Sequence, residues 1–280
     1  MKIKKIHIRA NQSWWIVEWR DIIEYRDLLF FLVLRDFTAI YKQSILGPLW
    51  FVLIPLATTL LFTVIFGNVA KIPTDGLPPF MFYMCSMVLW KYFEGCMNSV
   101  SGSLIANARI LGKVYFPRLT VPLSLVISNL GQFFLTFAMF MLFYAYYIFF
   151  TPMELRPSPY LIIYPFMVLH CAAVGLGVGL WLSALTVKYR DLRFALPFLS
   201  QLWLFATPVV YPTSIVPEKW IWLFALNPMS SVIEFNRYIF FGKATINADF
   251  LLIGFASGIL LLISGLMIFN KVQRTFVDTI

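Results

Sequence analysis

The sequence predicts an all-α integral membrane protein: an N-terminal amphipathic helix lying in the interface, six transmembrane helices, and short re-entrant helices between the fifth and sixth. Three observations predict it. Of 280 residues, 60% are hydrophobic and only 12% charged, against about 25% charged in a soluble domain. Too little charge remains to face water, so lipid must cover the surface. Apolar runs of membrane length recur along the chain, and lysine and arginine fall unequally on the two sides of those runs.

Residues 1–45 are a cytoplasmic N-terminus and the interfacial helix. "RDIIEYRDLLFFLVLRDFTAIYK" (residues 20–42) sets Asp21, Glu24, Arg35, Thr38 and Lys42 near one helical face. Its unbroken apolar core, residues 28–34, is far too short to cross a bilayer. Such a helix lies in the interface plane. Gly47-Pro48 then turns the chain directly into the first span, with no polar linker. Residues 46–270 hold the six spans as one domain, and residues 271–280 form a cytoplasmic tail.

Uncharged runs long enough for about 30 Å of hydrocarbon occupy residues 43–70, 119–153, 157–187, 194–217 and 250–270. A sixth, residues 76–108, is interrupted only by Lys91 and Glu94. Pro55 should kink the first span, with Thr58, Thr59 and a neighbouring helix available to rebond its backbone. With six spans, sixteen of the 22 lysines and arginines fall on the side of the termini, which places both termini in the cytoplasm. The net charge of +9 therefore reads as topology, with attraction of anionic headgroups or an anionic lipid-linked substrate as a second use. It does not indicate nucleic-acid binding.

Two connecting segments stand out. "NARILGKVYFPRLTVP" (residues 107–122) is short, basic and free of acids. It fits a brief cytoplasmic helix over residues 107–116, ended by Phe116-Pro117 because the residue before proline leaves helical geometry. It is either a plain connector or a docking element. Residues 207–242 are apolar yet broken by Pro208, Pro212, Pro217 and Pro228, which suggests two short helices dipping into the outer leaflet. Irregular backbone at that depth is tolerated only inside protein or along a wet cavity.

The sequence argues against catalysis. Gly112-Lys113 and Gly242-Lys243 lack the upstream glycine and following hydroxyl of a nucleotide-binding loop. No cluster has metal-ligand spacing, and Cys85, Cys96 and Cys171 read as small buried residues, so no cofactor or metal is expected in this chain. Lys91 and Glu94, three residues apart inside a span, either pair internally or face a cavity. Tyr83, Met87, Trp90, Glu94, Asn98 and Ser101 fall on one helical face; Phe194, Phe198, Gln201, Phe205 and Pro208 form a counterpart. Such faces either pack helix to helix or line a channel for sugars, stacking on rings and hydrogen-bonding at edges. The channel-lining candidates are Tyr83, Trp90, Glu94, Asn98, Phe198, Gln201 and Phe205.

The motifs "LRDFTAIYKQSILGPLWFVLIPL", "NARILGKVYFPR", "KYRDLRFALPF", "TPVVYP", "NPMSSVIEFNR" and "FNKVQRTFVD" follow in order over almost the whole chain. Together they resemble the membrane subunits of ABC exporters for bacterial cell-surface polysaccharides, of the O-antigen, capsule and teichoic-acid type. Thr38 and Ile40 stand where extra basic residues are common, and Gln273 where an acid is common. The resemblance implies a multi-pass inner-membrane permease, homodimeric, with two copies of a separate ATPase that holds ATP and Mg. It implies passage of a polysaccharide linked to undecaprenyl diphosphate, O-antigen first among candidates, through a channel between the two permeases. It further implies ATPase coupling through Asp36, Asn107, Arg109, Lys113 and Tyr115, and attraction of the lipid pyrophosphate by Arg35, Lys42, Arg109 and Lys113. A drug, haem or lipid exporter of the same class and a membrane enzyme acting on a polyprenol-linked sugar are the competing readings.

Overall fold

The computed structural model describes residues 19–42, 46–151, 157–242 and 247–275, and among these every regular element is helical. Helix α1 (Trp19–Glu24) and helix α2 (Arg26–Lys42) divide the expected single interfacial helix at Tyr25. Leu32 of α2 is buried, while Phe30, Phe31 and Leu34 are at least half exposed. At Gly47 the chain turns with φ +48°, a left-handed conformation that favours glycine, and Pro48 opens a short 3-10 turn (Gly47–Leu49).

Helix α3 (Trp50–Phe62) continues as a π-helix over Thr63–Val69. Pro55 has no N–H to give the Phe51 carbonyl. Thr136 Oγ1 donates to that carbonyl instead, from helix α7 (Thr120–Phe150), at 3.2 Å. Thr59 Oγ1 bonds the Pro55 carbonyl at 2.8 Å. The backbone gap is thus refilled partly from a neighbour, as a proline within a membrane helix requires.

Helix α4 (Pro79–Ser101) is the centre of the bundle, with sixteen of its 23 residues buried. Short helices α5 (Ser103–Ala106) and α6 (Ala108–Leu111) follow. The helix expected over residues 107–116 is therefore shorter: it ends at Leu111 before Gly112, and Phe116 is buried. Helix α8 (Tyr164–Lys188) and helix α12 (Ala248–Thr275) run parallel to α4. Cys171 lies opposite Leu89 and Thr186 opposite Ser101, while on the other side His170 faces Gly258 and Gly177 faces Leu262. Helix α7 runs the opposite way, with Phe80 against Phe143 and Tyr92 against Val126. Alternating direction is what a chain crossing repeatedly must show.

Glycines set the spacing of this layer. A Cβ on Gly175 or Gly179 would stand 2.8 Å from Cys96 Cβ and 2.6 Å from Val100 Cβ of α4. One on Gly177, on the opposite face, would stand 2.7 Å from the Leu262 Cα of α12, and one on Gly265 would overlap the Gly177 carbonyl. Lipid tails compete equally for apolar side chains, so close backbone approach through small residues is a main source of helix association in a membrane.

Among the described residues, four helical stretches are long and apolar enough to cross a bilayer: Gly47–Val69, Thr120–Phe150, Pro159–Lys188 and Ala248–Gln273. Helix α4 has the length but a more polar composition. Helix α9 (Leu192–Ala206) has 15 residues, about 22 Å at 1.5 Å per residue. It stops short of the run expected over 194–217 because Thr207, preceding Pro208, is extended. Helix α10 (Glu218–Leu226) leaves Trp220, Trp222 and Leu223 exposed. Helix α11 (Pro228–Phe241), in contrast, has twelve of 14 residues buried and packs against α4, α8 and α12.

Substituting Gly177→Leu should force α8 and α12 apart. We expect a lower melting temperature and lower yield of detergent-purified protein. Gly102→Ala, whose added Cβ meets nothing within 4 Å, should leave both unchanged.

Candidate functional site

Three groupings of polar and aromatic side chains follow from this packing. The first is at the end where α2, α5 and α6 meet. Arg35 on α2 bonds its neighbour Asp36 through Nε at 2.9 Å and Nη2 at 2.8 Å. Its Nη2 also reaches Asn107 Oδ1 at 3.4 Å, between α5 and α6. Asn107 in turn donates from Nδ2 to the Ser103 carbonyl at 3.0 Å. Two segments 72 residues apart are thereby tied. Beside this junction Ile110, Val114 and Tyr115 are exposed at 40%, 59% and 63%, and Lys113 is also exposed. Of the residues expected to couple to a partner, Asp36 and Asn107 are therefore joined internally, while Lys113 and Tyr115 face outward. Arg109 and Lys42 lie in α6 and α2, and their side chains fall outside the described residues. Arg35 is already offset by Asp36, which leaves it less charge for an external anion.

The second grouping is the aromatic face expected on α4 and α9, and the structure divides it. Tyr83 and Trp90 have no exposed surface in the protomer. Tyr83 meets Phe62 edge-on at 6.2 Å, and Trp90 tilts against Phe93 at 5.3 Å. Both rings are interior packing, which the helical face expected to line a channel did not anticipate. On α9, Phe194, Phe198 and Phe205 are exposed at 87%, 62% and 42%, with Gln201 exposed between them. Steps of four, three and four residues keep them on one stripe. Asn98 on α4 is exposed, and Glu94 accepts a hydrogen bond from Lys91 Nζ at 2.8 Å.

The third grouping escaped the sequence reading: Arg237 and Glu234 on α11. Arg237 is 1% exposed and fully engaged. Nη1 meets Glu234 Oε1 at 3.0 Å; Nε and Nη2 bond Ser86 Oγ at 3.0 and 2.7 Å. Nη2 also donates to the carbonyls of Pro208 and Val209 at 2.6 and 2.9 Å. The guanidinium lies 3.6 Å over the Phe82 ring, a cation–π contact. Glu234 Oε1 also accepts the Thr213 backbone N–H at 2.9 Å. Burial pulls the Arg237 pKa down, and Glu234 is the largest influence raising it. The "TPVVYP" loop is thus held by one planar cation. The signal was present: a cation and an acid three residues apart in an apolar segment must pair or stay wet.

Among the described residues no group of three histidines, cysteines or acids could hold a metal ion.

The family model described as ABC-2 type transporter matches residues 27–241, from α2 to the end of α11. The chain belongs to that family. Its curated relatives include an O-antigen export system permease protein RfbA of Klebsiella pneumoniae, 30% identical over 253 residues, which covers 90% of this chain and 94% of that one. A second Klebsiella pneumoniae protein of the same name is 29% identical over the same length. The RfbA permease of Myxococcus xanthus is 30% identical over 263 residues, 93% of this chain and 98% of its own. As an ABC-2 type transporter chain, the molecule places its matched region across both the α2–α5–α6 junction and the Arg237 anchor.

Replacing Arg237 by Gln should leave Glu234 buried without its cation, at a cost of about 3–5 kcal/mol. Residues 207–217 should then become cleavable in limited proteolysis. Arg237→Lys should rescue little, because an ammonium cannot span the serine, the carboxylate and two carbonyls at once.

Proposed function

We propose that this chain is the membrane subunit of an ATP-driven exporter that carries undecaprenyl-diphosphate-linked polysaccharide of O-antigen type from cytoplasm to periplasm. It works as a homodimer with two copies of a separate ATPase, and the polymer passes between the two permeases. The observation that carries this reading is the α9 stripe. Phe194, Phe198, Gln201 and Phe205 form a ring-and-amide face that the protomer leaves open. The relatives' shared name, O-antigen export system permease protein, supports the substrate class.

In this reading the chain crosses the inner membrane six times, with α4 as the second span and α9 as the fifth. Both termini are cytoplasmic, as the lysine and arginine distribution demands. The exposed Ile110, Val114 and Tyr115 face then receives the ATPase. Arg35 links that face to α2, so a push on it moves α2 and α7 together with α5 and α4. Arg237 holds the periplasmic loop still while α9 shifts. ATP hydrolysis belongs to the partner and export to the paired permeases.

Deleting the gene should leave lipid-linked polymer inside the cytoplasm and strip it from the cell surface; normal surface polymer would contradict the exporter reading. In a complemented strain, the double variant Val114→Asp/Tyr115→Asp should no longer retain the ATPase on co-purification, yet still reach the membrane in normal amount.

A further inference from the structure

A cavity of about 220 Å³ opens where α3 leaves α4 beside Pro55, and α7 closes its third side. Lys91, Glu94 and Asn98 of α4, Gln132 of α7, and Trp50 and Pro55 of α3 line it. Its hydrogen-bonding capacity is largely unspent. Lys91 gives one hydrogen bond, to Glu94 Oε2. Among the described residues, Glu94 Oε1 and the side-chain amides of Asn98 and Gln132 have no hydrogen-bond partner. Trp50 is 47% exposed at the rim. Gly95 lets this cluster form: a Cβ there would stand 2.6 Å from Asn129 Oδ1, so α4 and α7 meet closely.

The lining limits what fills it. Lys91 is the thirteenth of 23 residues in α4, about 18 Å from one end and 15 Å from the other at 1.5 Å per residue. Trp50 and Asn98 lie within about 5 Å of the ends of their helices, so the cavity runs from that level toward the middle of a hydrocarbon layer about 30 Å thick. A half-buried ion pair there is costly against lipid and acceptable against a polar guest. The guest must also match the lining: ammonium hydrogens to give, a carboxylate oxygen to receive, and amides that do both. A phosphate brings only acceptors, and Glu94 repels it. A neutral polyhydroxylated ring both gives and receives, and it offers an apolar face to Trp50.

We propose that this cavity is a binding subsite for one neutral sugar unit of the passing polymer, held by Lys91, Glu94, Asn98 and Gln132 and bordered by Trp50. The assignment rests on the exporter reading above and adds a station apart from the α9 stripe.

The pair Lys91→Met/Glu94→Met separates ligand binding from structure, because a purely structural ion pair is commonly replaced by apolar residues without loss of stability. We expect normal membrane abundance of the permease with its ATPase and about a tenfold fall in surface polymer, the order of losing a hydrogen bond to a charged group. Normal export by this variant overturns the proposal. Should it fail to accumulate, Asn98→Cys decides, since the native cysteines are buried. A charged thiosulfonate should label this cysteine in permeabilised cells blocked in polymer synthesis, where both membrane faces are open to the reagent. Labelling should slow when lipid-linked polymer is trapped by an inactive ATPase. No labelling in either strain means a dry cavity and overturns the subsite. Equal labelling in both, with protection of Phe205→Cys on α9, also overturns the subsite, here leaving the exporter intact. Protection at neither position removes the exporter reading, and the subsite with it.

Discussion

Close backbone approach along α8 is the constraint on which the remaining structure depends. Gly175 and Gly179, one helical turn apart, admit α4, while Gly177 between them admits α12 on the opposite face. The helix acts as a two-sided spacer. In lipid, apolar side chains gain little by leaving hydrocarbon for protein, so dispersion at short range has to hold the layer together. Once α4, α8 and α12 are fixed in parallel, α7 and α3 have one side left on which to pack.

That arrangement explains why α4 is less apolar than α3, α7, α8 and α12. Helix α4 is shielded by its neighbours along most of its length and tolerates Ser86, Lys91, Glu94 and Asn98, which would be costly on a lipid-facing helix. Each of these is spent differently. Ser86 helps hold Arg237. Lys91 and Glu94 meet each other in the cavity beside α3. Asn98 remains exposed below them. The proline in α3 is itself tolerable because Thr136 supplies the hydrogen bond that Pro55 withholds.

Rigidity and freedom are also distributed by chemistry. The loop after α9 is held by Arg237 and by Asn227, which accepts from Trp203 Nε1 at 3.1 Å and donates to Thr207 Oγ1 at 2.8 Å. The body of α9 makes few contacts and presents its phenylalanines outward. Helix α9 is thus anchored at one end and open along one face. At the other end of the bundle, Arg35 makes α2 and the α5–α6 segment a joined platform. A force received there has a continuous path into α4.

Composition and periodicity alone determined that the chain is helical and lipid-embedded, where it turns at Gly47-Pro48, and which stripe of α9 carries its rings. These depend on local sequence: apolar length, the φ of glycine and proline, and the 3.6-residue repeat. The same repeat put Tyr83 and Trp90 on a favourable face of α4, yet helical periodicity does not say which neighbour covers a face, and both are buried. Residues 207–242 read as two short helices dipping into the outer leaflet because prolines break the segment, and tertiary packing drew the second of them, α11, into the core. Partners 72 residues away for Arg35, and 151 away for Arg237 with Ser86, were beyond reach of any local pattern. Which buried charge finds which partner depends on helix spacing, and helix spacing depends on where glycines from different spans happen to meet.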